Sequence, residues 1–380
     1  MTAIINATLV MGHYYIPEGY LVIQDGKIAD FGEMRKWTVP EGAEILDAKG
    51  LLVGPGLIDI HTHAGAGTFF QEDPVKAAQA VLQHGVTGVL PALYMNLNKA
   101  GYFAALDKID AARASGQADN IIGYYMEGPY LNPKFGCERE NYSWSEVLDP
   151  SEYMDLVERV KDSAKVWALA PERINAEQFA KDVSETIPGI VLTVAHSEAS
   201  PQQIEALMPY GLRLATHHTN ATGDRPMYPE CRGVCVDETV NFHNSIYAEV
   251  ICDSRGIHVD PFMLRLIRKI KGDERVILIS DAFVADGPTP PGYEGVTDIN
   301  FDHSGEIAGS NLTLDVACRN IMKHTGCSPV DAFRFASTNP ARLLNLKDQG
   351  RIFRGALANL VICDSWMNIE HVILKGDLVR

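Results

Sequence analysis

Leu51-Leu52-Val53-Gly54-Pro55-Gly56-Leu57-Ile58-Asp59-Ile60-His61-Thr62-His63 is the stretch whose reading decides the fold. An apolar, strand-like run ends in two imidazoles two residues apart. Alternate side chains of a strand share a face, so the rings of His61 and His63 are expected to point the same way. Two neutral imidazoles converging on one point are a common way to hold a zinc-like or iron-like ion. An isolated His-x-His is equally compatible with two ordinary core or surface histidines, so the case rests on the rest of the chain.

The same apolar pattern recurs. Strand-like runs at 57–63, 86–93, 121–126, 165–169, 190–196, 212–217, 246–252 and 276–281 alternate with helical patterns at 74–84, 99–114, 151–161, 176–186, 201–208, 260–270 and 311–323. Eight such runs predict an α/β fold, a (β/α)8 TIM-like barrel. Continuously apolar strands suit a parallel sheet covered by helices. An open doubly wound sheet is the alternative, but no Gly-x-Gly-x-x-Gly follows an early strand. The two ends of the chain read differently. Tyr20–Gln24, the turn signal Asp25-Gly26 and Lys27–Gly32 predict a hairpin. Asn359–Asp364 and His371–Gly376 read as further strands. Both ends are therefore expected to pair into a small β-sandwich domain, 1–52 with 348–380, beside a barrel at 53–347.

Composition narrows the function. With 380 residues, 46% hydrophobic and 22% charged, the chain can bury a large core. No apolar run reaches the roughly 20 residues needed to span a membrane. Met1-Thr2-Ala3-Ile4-Ile5-Asn6 lacks the basic segment of a signal peptide, so a cytoplasmic location is expected. Seven cysteines without a Cys-x-x-Cys argue against a disulfide framework and a structural zinc knuckle. A net charge of −16 argues against nucleic acid and anionic membranes as partners. An anionic small molecule would need a local basic pocket.

In a (β/α)8 barrel the chemistry sits at the C-terminal ends of the strands. Those ends give His61 and His63 on the first, Glu127 on the third, His196 on the fifth, His217 on the sixth and Asp281 on the eighth. Each alone would pass as a hydrogen-bonded core residue or a helix cap. Together, four histidines and two carboxylates suffice for one or two divalent ions.

These motifs resemble the amidohydrolase superfamily and, within it, the N-acetylglucosamine-6-phosphate deacetylase family. The resemblance covers nearly the whole chain. It is carried by Pro55–His63, Met126-Glu127-Gly128-Pro129-Tyr130-Leu131-Asn132-Pro133, Ala195-His196-Ser197, Thr216-His217-His218-Thr219-Asn220-Ala221, Ser280-Asp281-Ala282 and Ile307–Asp315. The closing stretches Ser337–Arg342 and Gly355–Val361 are general to the superfamily. The fourth run, Lys165–Pro171, has no lysine at its end, which disfavours branches that bridge two metals with a carboxylated lysine.

The resemblance implies that Glu127, His196 and His217 bind the principal metal. His61 and His63 would add a second ion, with Glu127 bridging. Zinc or iron is implied foremost, with manganese and cobalt also matching the donors. Asp281 matches the catalytic aspartate, and Asn220, Ala221 and His258 match substrate contacts. The implied reaction is hydrolysis of the N-acetyl group of an amino sugar, a small-molecule substrate, by a homodimer. The loop Ala308-Gly309-Ser310 would close over the sugar. Two departures stand out. Glu138, in Phe135-Gly136-Cys137-Glu138, falls where the family has a histidine that polarises the amide carbonyl. Either another donor substitutes, with His218 a candidate, or the acyl group is held differently. The segment Glu140–Ser145 could form a lid. The family's phosphate-binding arginine has no clean counterpart, leaving Arg225 or Arg232. Hydrolysis of another small N-acyl or cyclic amide therefore stays open. A non-catalytic binding barrel is disfavoured by the complete residue set.

Overall fold

The computed structural model describes residues 1–380, apart from the side chain of Lys36. Eight parallel strands run in sequence order around one sheet: Leu57–Thr62, Val86–Tyr94, Tyr124–Glu127, Ala164–Leu169, Val191–Val194, Leu212–Ala215, Tyr247–Ile251 and Val276–Ile279. They are called the first to eighth barrel strands below. Both faces of each strand are covered, which is why the runs are continuously apolar; Val86–Tyr94 is buried throughout. Ile58, Leu90, Tyr125, Val166, Leu214 and Ile277 fill the barrel interior. Leu57, Val89, Trp167 and Phe179 pack outside it, under the helices.

The ring closes between its first and eighth strands. Asp281 N donates to His61 O at 3.0 Å and His63 N to Ala282 O at 2.9 Å. Deeper in the seam, Ser280 Oγ donates to the buried Asp59 carboxylate at 2.6 Å.

All seven expected helices are present: Pro74–Gln83, Lys99–Ala114, Pro150–Val160, Ala176–Thr186, Pro201–Leu207, Pro261–Lys271 and Leu314–Thr325. Their start signals recur. Asp73, Asp149, Ser200 and Asp260 each accept from a backbone N–H of the first turn and each precedes a proline. The cap satisfies an orphan donor, and proline at the first position has no N–H to lose. Pro150–Val160 buries Tyr153, Leu156, Val157 and Val160, the spacing of one helical face. Val236–Phe242, Pro329–Phe333 and Asn339–Leu343 were not foreseen. They are too short to establish a period.

Strands from both chain ends join one eight-stranded sheet. Its N-terminal members include Thr2–Val10, Tyr15–Gln24 and Lys27–Glu33, the last two linked through the left-handed pair Asp25 and Gly26. Leu52–Pro55 pairs antiparallel with Leu360–Cys363, so this sheet runs to Pro55, directly before the first barrel strand. Ile4, Leu21, Val53 and Ile362 form its own core. Among the described residues, no helix is long and apolar enough to cross a membrane.

Candidate metal centre

His61 and His63 come from the end of the first barrel strand, and Glu127 is the last residue of the third. His196, His217 and Asp281 lie just beyond the fifth, sixth and eighth. These three share a left-handed backbone, with φ of 42°, 29° and 46°. Such a conformation costs a non-glycine residue about 1–3 kcal/mol, and persists where the surroundings over-determine it. Here the barrel ladder fixes the chain before each turn. At Asp281, its N–H is tied to His61 O and its carbonyl accepts from Ser310 N at 2.8 Å.

The six side chains converge around Glu127. Its Oε1 lies 3.1 Å from His196 Nε2 and 3.4 Å from His217 Nε2. Its Oε2 lies 3.1 Å from His63 Nε2 and 3.4 Å from His61 Nε2. Asp281 Oδ1 is 3.3 Å from His63 Nε2 and 3.6 Å from His61 Nε2. Three rings are held from behind through Nδ1: His61 by Glu249 Oε2 at 3.1 Å, His63 by Ala92 O at 3.1 Å and His217 by Asn220 O at 3.2 Å. Those contacts leave Nε2 of each ring facing the cluster.

The electrostatics are those of a nest of acceptors. Burial would raise the Glu127 carboxyl, but His61, His196 and His217 hold it well below the usual carboxylate range. Burial opposes the charging of His63, yet Asp281 and Glu127 push it up to about 9. Asp281 is likewise held below its ordinary value, against its burial, by His61 and His63. His61 Nε2 and Glu127 Oε2 are buried and have no hydrogen-bond partner. Two overlapping groups, His61–His63–Glu127 and Glu127–His196–His217, bring donor atoms within 4.8 Å of one another. Unpartnered donors of these types, buried and converging, fit divalent ions.

A cavity of about 250 Å³ opens beside the cluster. Of the expected substrate contacts, Asn220, Ala221 and His258 line it. Asn220 Nδ2 is buried without a partner, and His258 Nδ1 is held by Asp253 Oδ2 at 3.0 Å. The other four do not line it. Glu138 turns to accept from Asn96 Nδ2. His218 does not take the donor's place, because its Nε2 faces Asn241 Oδ1 at 3.1 Å on Val236–Phe242. Burial lowers that imidazole to about 4. Arg225 and Arg232 border a neighbouring cavity, which shares Lys134 and Phe135 with the first. Gly309 does lie over the cavity. A side chain there would meet Phe283 Cβ at 2.7 Å and Asp281 O at 2.8 Å, and its φ is 54°.

Sequence reading missed four residues. Lys134 and Arg139 are the cations on the cavity wall, paired with Glu198 and Glu306 at 2.6 Å each. Tyr94 lines the wall and donates to Cys137 O at 3.1 Å. Glu249 lies beneath the cluster; its signal was a lone charge inside the apolar run Ile246–Cys252.

Known proteins resemble this chain over most of its length. The amidohydrolase family model matches residues 266–379. N-acetylgalactosamine-6-phosphate deacetylase of Escherichia coli O157:H7 is 28% identical, over 100% of this chain and 99% of that relative. N-acetylglucosamine-6-phosphate deacetylase of Lysinibacillus sphaericus is 27% identical, over 93% and 91%. The crystal structure of N-acetylglucosamine-6-phosphate deacetylase from Pasteurella multocida superposes with a TM-score of 0.85 at 25% identity, covering 99% of each chain. The structure of a mutant Mycobacterium smegmatis deacetylase, in complex with N-acetyl-D-glucosamine-6-phosphate, gives 0.81 at 25% identity, over 100% of this chain and 99% of that one. Fold, cluster and matches together show a hydrolase that resembles the amidohydrolase superfamily and, within it, the amino-sugar phosphate deacetylases.

Proposed function

We propose that the protein hydrolyses the N-acetyl group of an amino sugar, N-acetylglucosamine 6-phosphate foremost, to acetate and the free amine. The carrying observation is Glu127 set between two pairs of histidines, with Asp281 beside it on the cavity wall. His61 and His63 with Glu127 Oε2 would hold one divalent ion, and His196 and His217 with Oε1 a second. Glu127, Asp281 and Glu249 set three buried carboxylates around the histidines, a negative charge that favours divalent cations there. Zinc or iron is the reading for both, with manganese or cobalt as substitutes. Bound there, such an ion polarises an amide carbonyl and lowers the pKa of water to about 7 in favourable sites.

The chain's own residues do the rest. Asp281, kept ionised by His61 and His63, takes a proton from the attacking water. It returns that proton to the amide nitrogen as the C–N bond breaks, because an amine leaves poorly unless protonated. Asn220 Nδ2 and His258 offer donors to sugar oxygens. The barrel unit, expected at 53–347, carries all of these residues, and 1–52 with 348–380 forms the second unit, whose sheet takes in Val53–Pro55 as well. The work is done in the cytoplasm by a homodimer. Met227 and Tyr228, 80% and 71% exposed between Arg225 and Arg232, give that dimer an apolar contact.

A second reading, hydrolysis of another small N-acyl or cyclic amide, is favoured by Glu138 lying off the cavity wall and by Arg225 and Arg232 standing outside it. Acetate release from N-acetylglucosamine 6-phosphate and from the unphosphorylated sugar, with metal-loaded protein, separates the two. The proposal expects strong preference for the phosphorylated sugar. No release from either, with other N-acyl compounds cleaved, would establish the second reading.

A further inference from the structure

Glu249 is an unusual residue to find in the seventh barrel strand. Its neighbours Ala248 and Val250 belong to the outer core, while Tyr247 and Ile251 face the barrel interior with it. The carboxylate is fully buried. Its Oε2 meets His61 Nδ1 at 3.1 Å, the His217 backbone N–H at 3.3 Å and the Tyr125 hydroxyl at 3.4 Å. Its Oε1 is buried with no partner at all. Among the described residues, its only ion-pair partner is His61. A buried carboxylate without a lysine or arginine is costly unless some other positive charge stands nearby.

The four histidines are not held alike. His63 and His217 rest on neutral backbone oxygens, of Ala92 and Asn220, and His196 Nδ1 has no partner. Only His61 is backed by a charged acceptor. A carboxylate behind a ligating imidazole fixes its tautomer and raises its basicity more than an amide oxygen does. Nothing comparable supports the opposite half of the centre.

We propose that Glu249 is a positioning residue that orients His61 and strengthens the cation position at His61 and His63 without acting on the one at His196 and His217. The inference rests on the metal reading given above. Glu249→Gln keeps the shape and an acceptor oxygen for both N–H groups, removes the charge, and sets an NH2 group where Oε1 has no partner. The variant is expected to lose about 10- to 100-fold in affinity for the ion at His61 and His63. The ion at His196 and His217 is expected to keep its wild-type affinity.

The test is a cobalt(II) titration of the full chain, followed by visible absorption and by metal content after dialysis. His63→Asn and His196→Asn identify which signal belongs to which half. A Glu249→Gln protein that binds both ions as tightly as wild type, or loses both equally, overturns the inference. A wild type that binds no ion overturns the metal reading itself, which separates the two failures. Zinc-loaded wild type gives a check needing no variant at Glu249. The Nδ1 proton of His61 should resonate downfield of those of His63 and His217, and equal positions would overturn the proposal.

Discussion

Asp281 and Glu127 are both buried carboxylates among histidines, but they differ in what they face. Both border the cavity, but Glu127 meets imidazoles with both oxygens, whereas Asp281 meets His61 and His63 through Oδ1 alone. Asp281→Asn is therefore expected to retain metal and lose about 100- to 10,000-fold in turnover, checked by metal analysis beside steady-state rates. Near-wild-type turnover would end its assignment as the proton carrier. Glu127→Gln should instead lose metal on dialysis, and full occupancy would contradict its ligand role. His63 adds a pH dependence. Its metal-free pKa of about 9 exceeds the ordinary 6.5, so the protonated ring stabilises the metal-free fold below 6.5, and that contribution disappears as pH rises through 9. Metal must displace the same proton. Apparent affinity should then climb with pH up to about 9, with proton release in calorimetry across buffers of different ionisation enthalpy. His61, Glu127, His196, His217 and Asp281 were legible because each follows an apolar run. Lys134 and Arg139 were not, because loop geometry rather than strand position brings them to the cavity.

At the scale of elements, the eight strands and most helices were legible from period and from cap-proline starts. Burial on both faces leaves a strand no polar positions, and a proline after Asp or Ser marks where a helix begins. What resisted reading were short elements that depend on packing, such as Val236–Phe242, against which His218 sits. The loop after the eighth strand shows how tightly an element can be constrained. Ile307–Ser310 pairs with Ile299–Phe301, and Ser310 exchanges backbone hydrogen bonds with Asp281 and Phe283. Gly309→Ala must then adopt a left-handed backbone and displace Phe283. It is expected to lower turnover by shifting the cavity wall while leaving the metal content intact. An unchanged KM and kcat would show that the loop yields without effect.

For the whole molecule, metal removal should cost stability. An ion bound only by the folded chain stabilises it by about 2.7 kcal/mol when its free concentration is a hundredfold above Kd. A chelator should lower Tm accordingly, and an unchanged Tm would mean that the cluster holds no ion. The proposed dimer is tested by Tyr228→Asp, which should shift the sedimenting mass from twice 41.7 kDa towards 41.7 kDa. The seam between the first and eighth strands carries a consequence for assembly. It joins residues near 60 to residues near 280, the longest reach around the ring, and its backbone bonds run through His61, His63 and Asp281 themselves. Long-range pairing of this kind forms late, after the loop entropy of everything between has been overcome. A growing chain therefore cannot complete the metal cluster before it has completed the barrel. The setting of Asp281 beside His61 and His63 becomes a certificate of finished folding, and partly made molecules stay chemically silent.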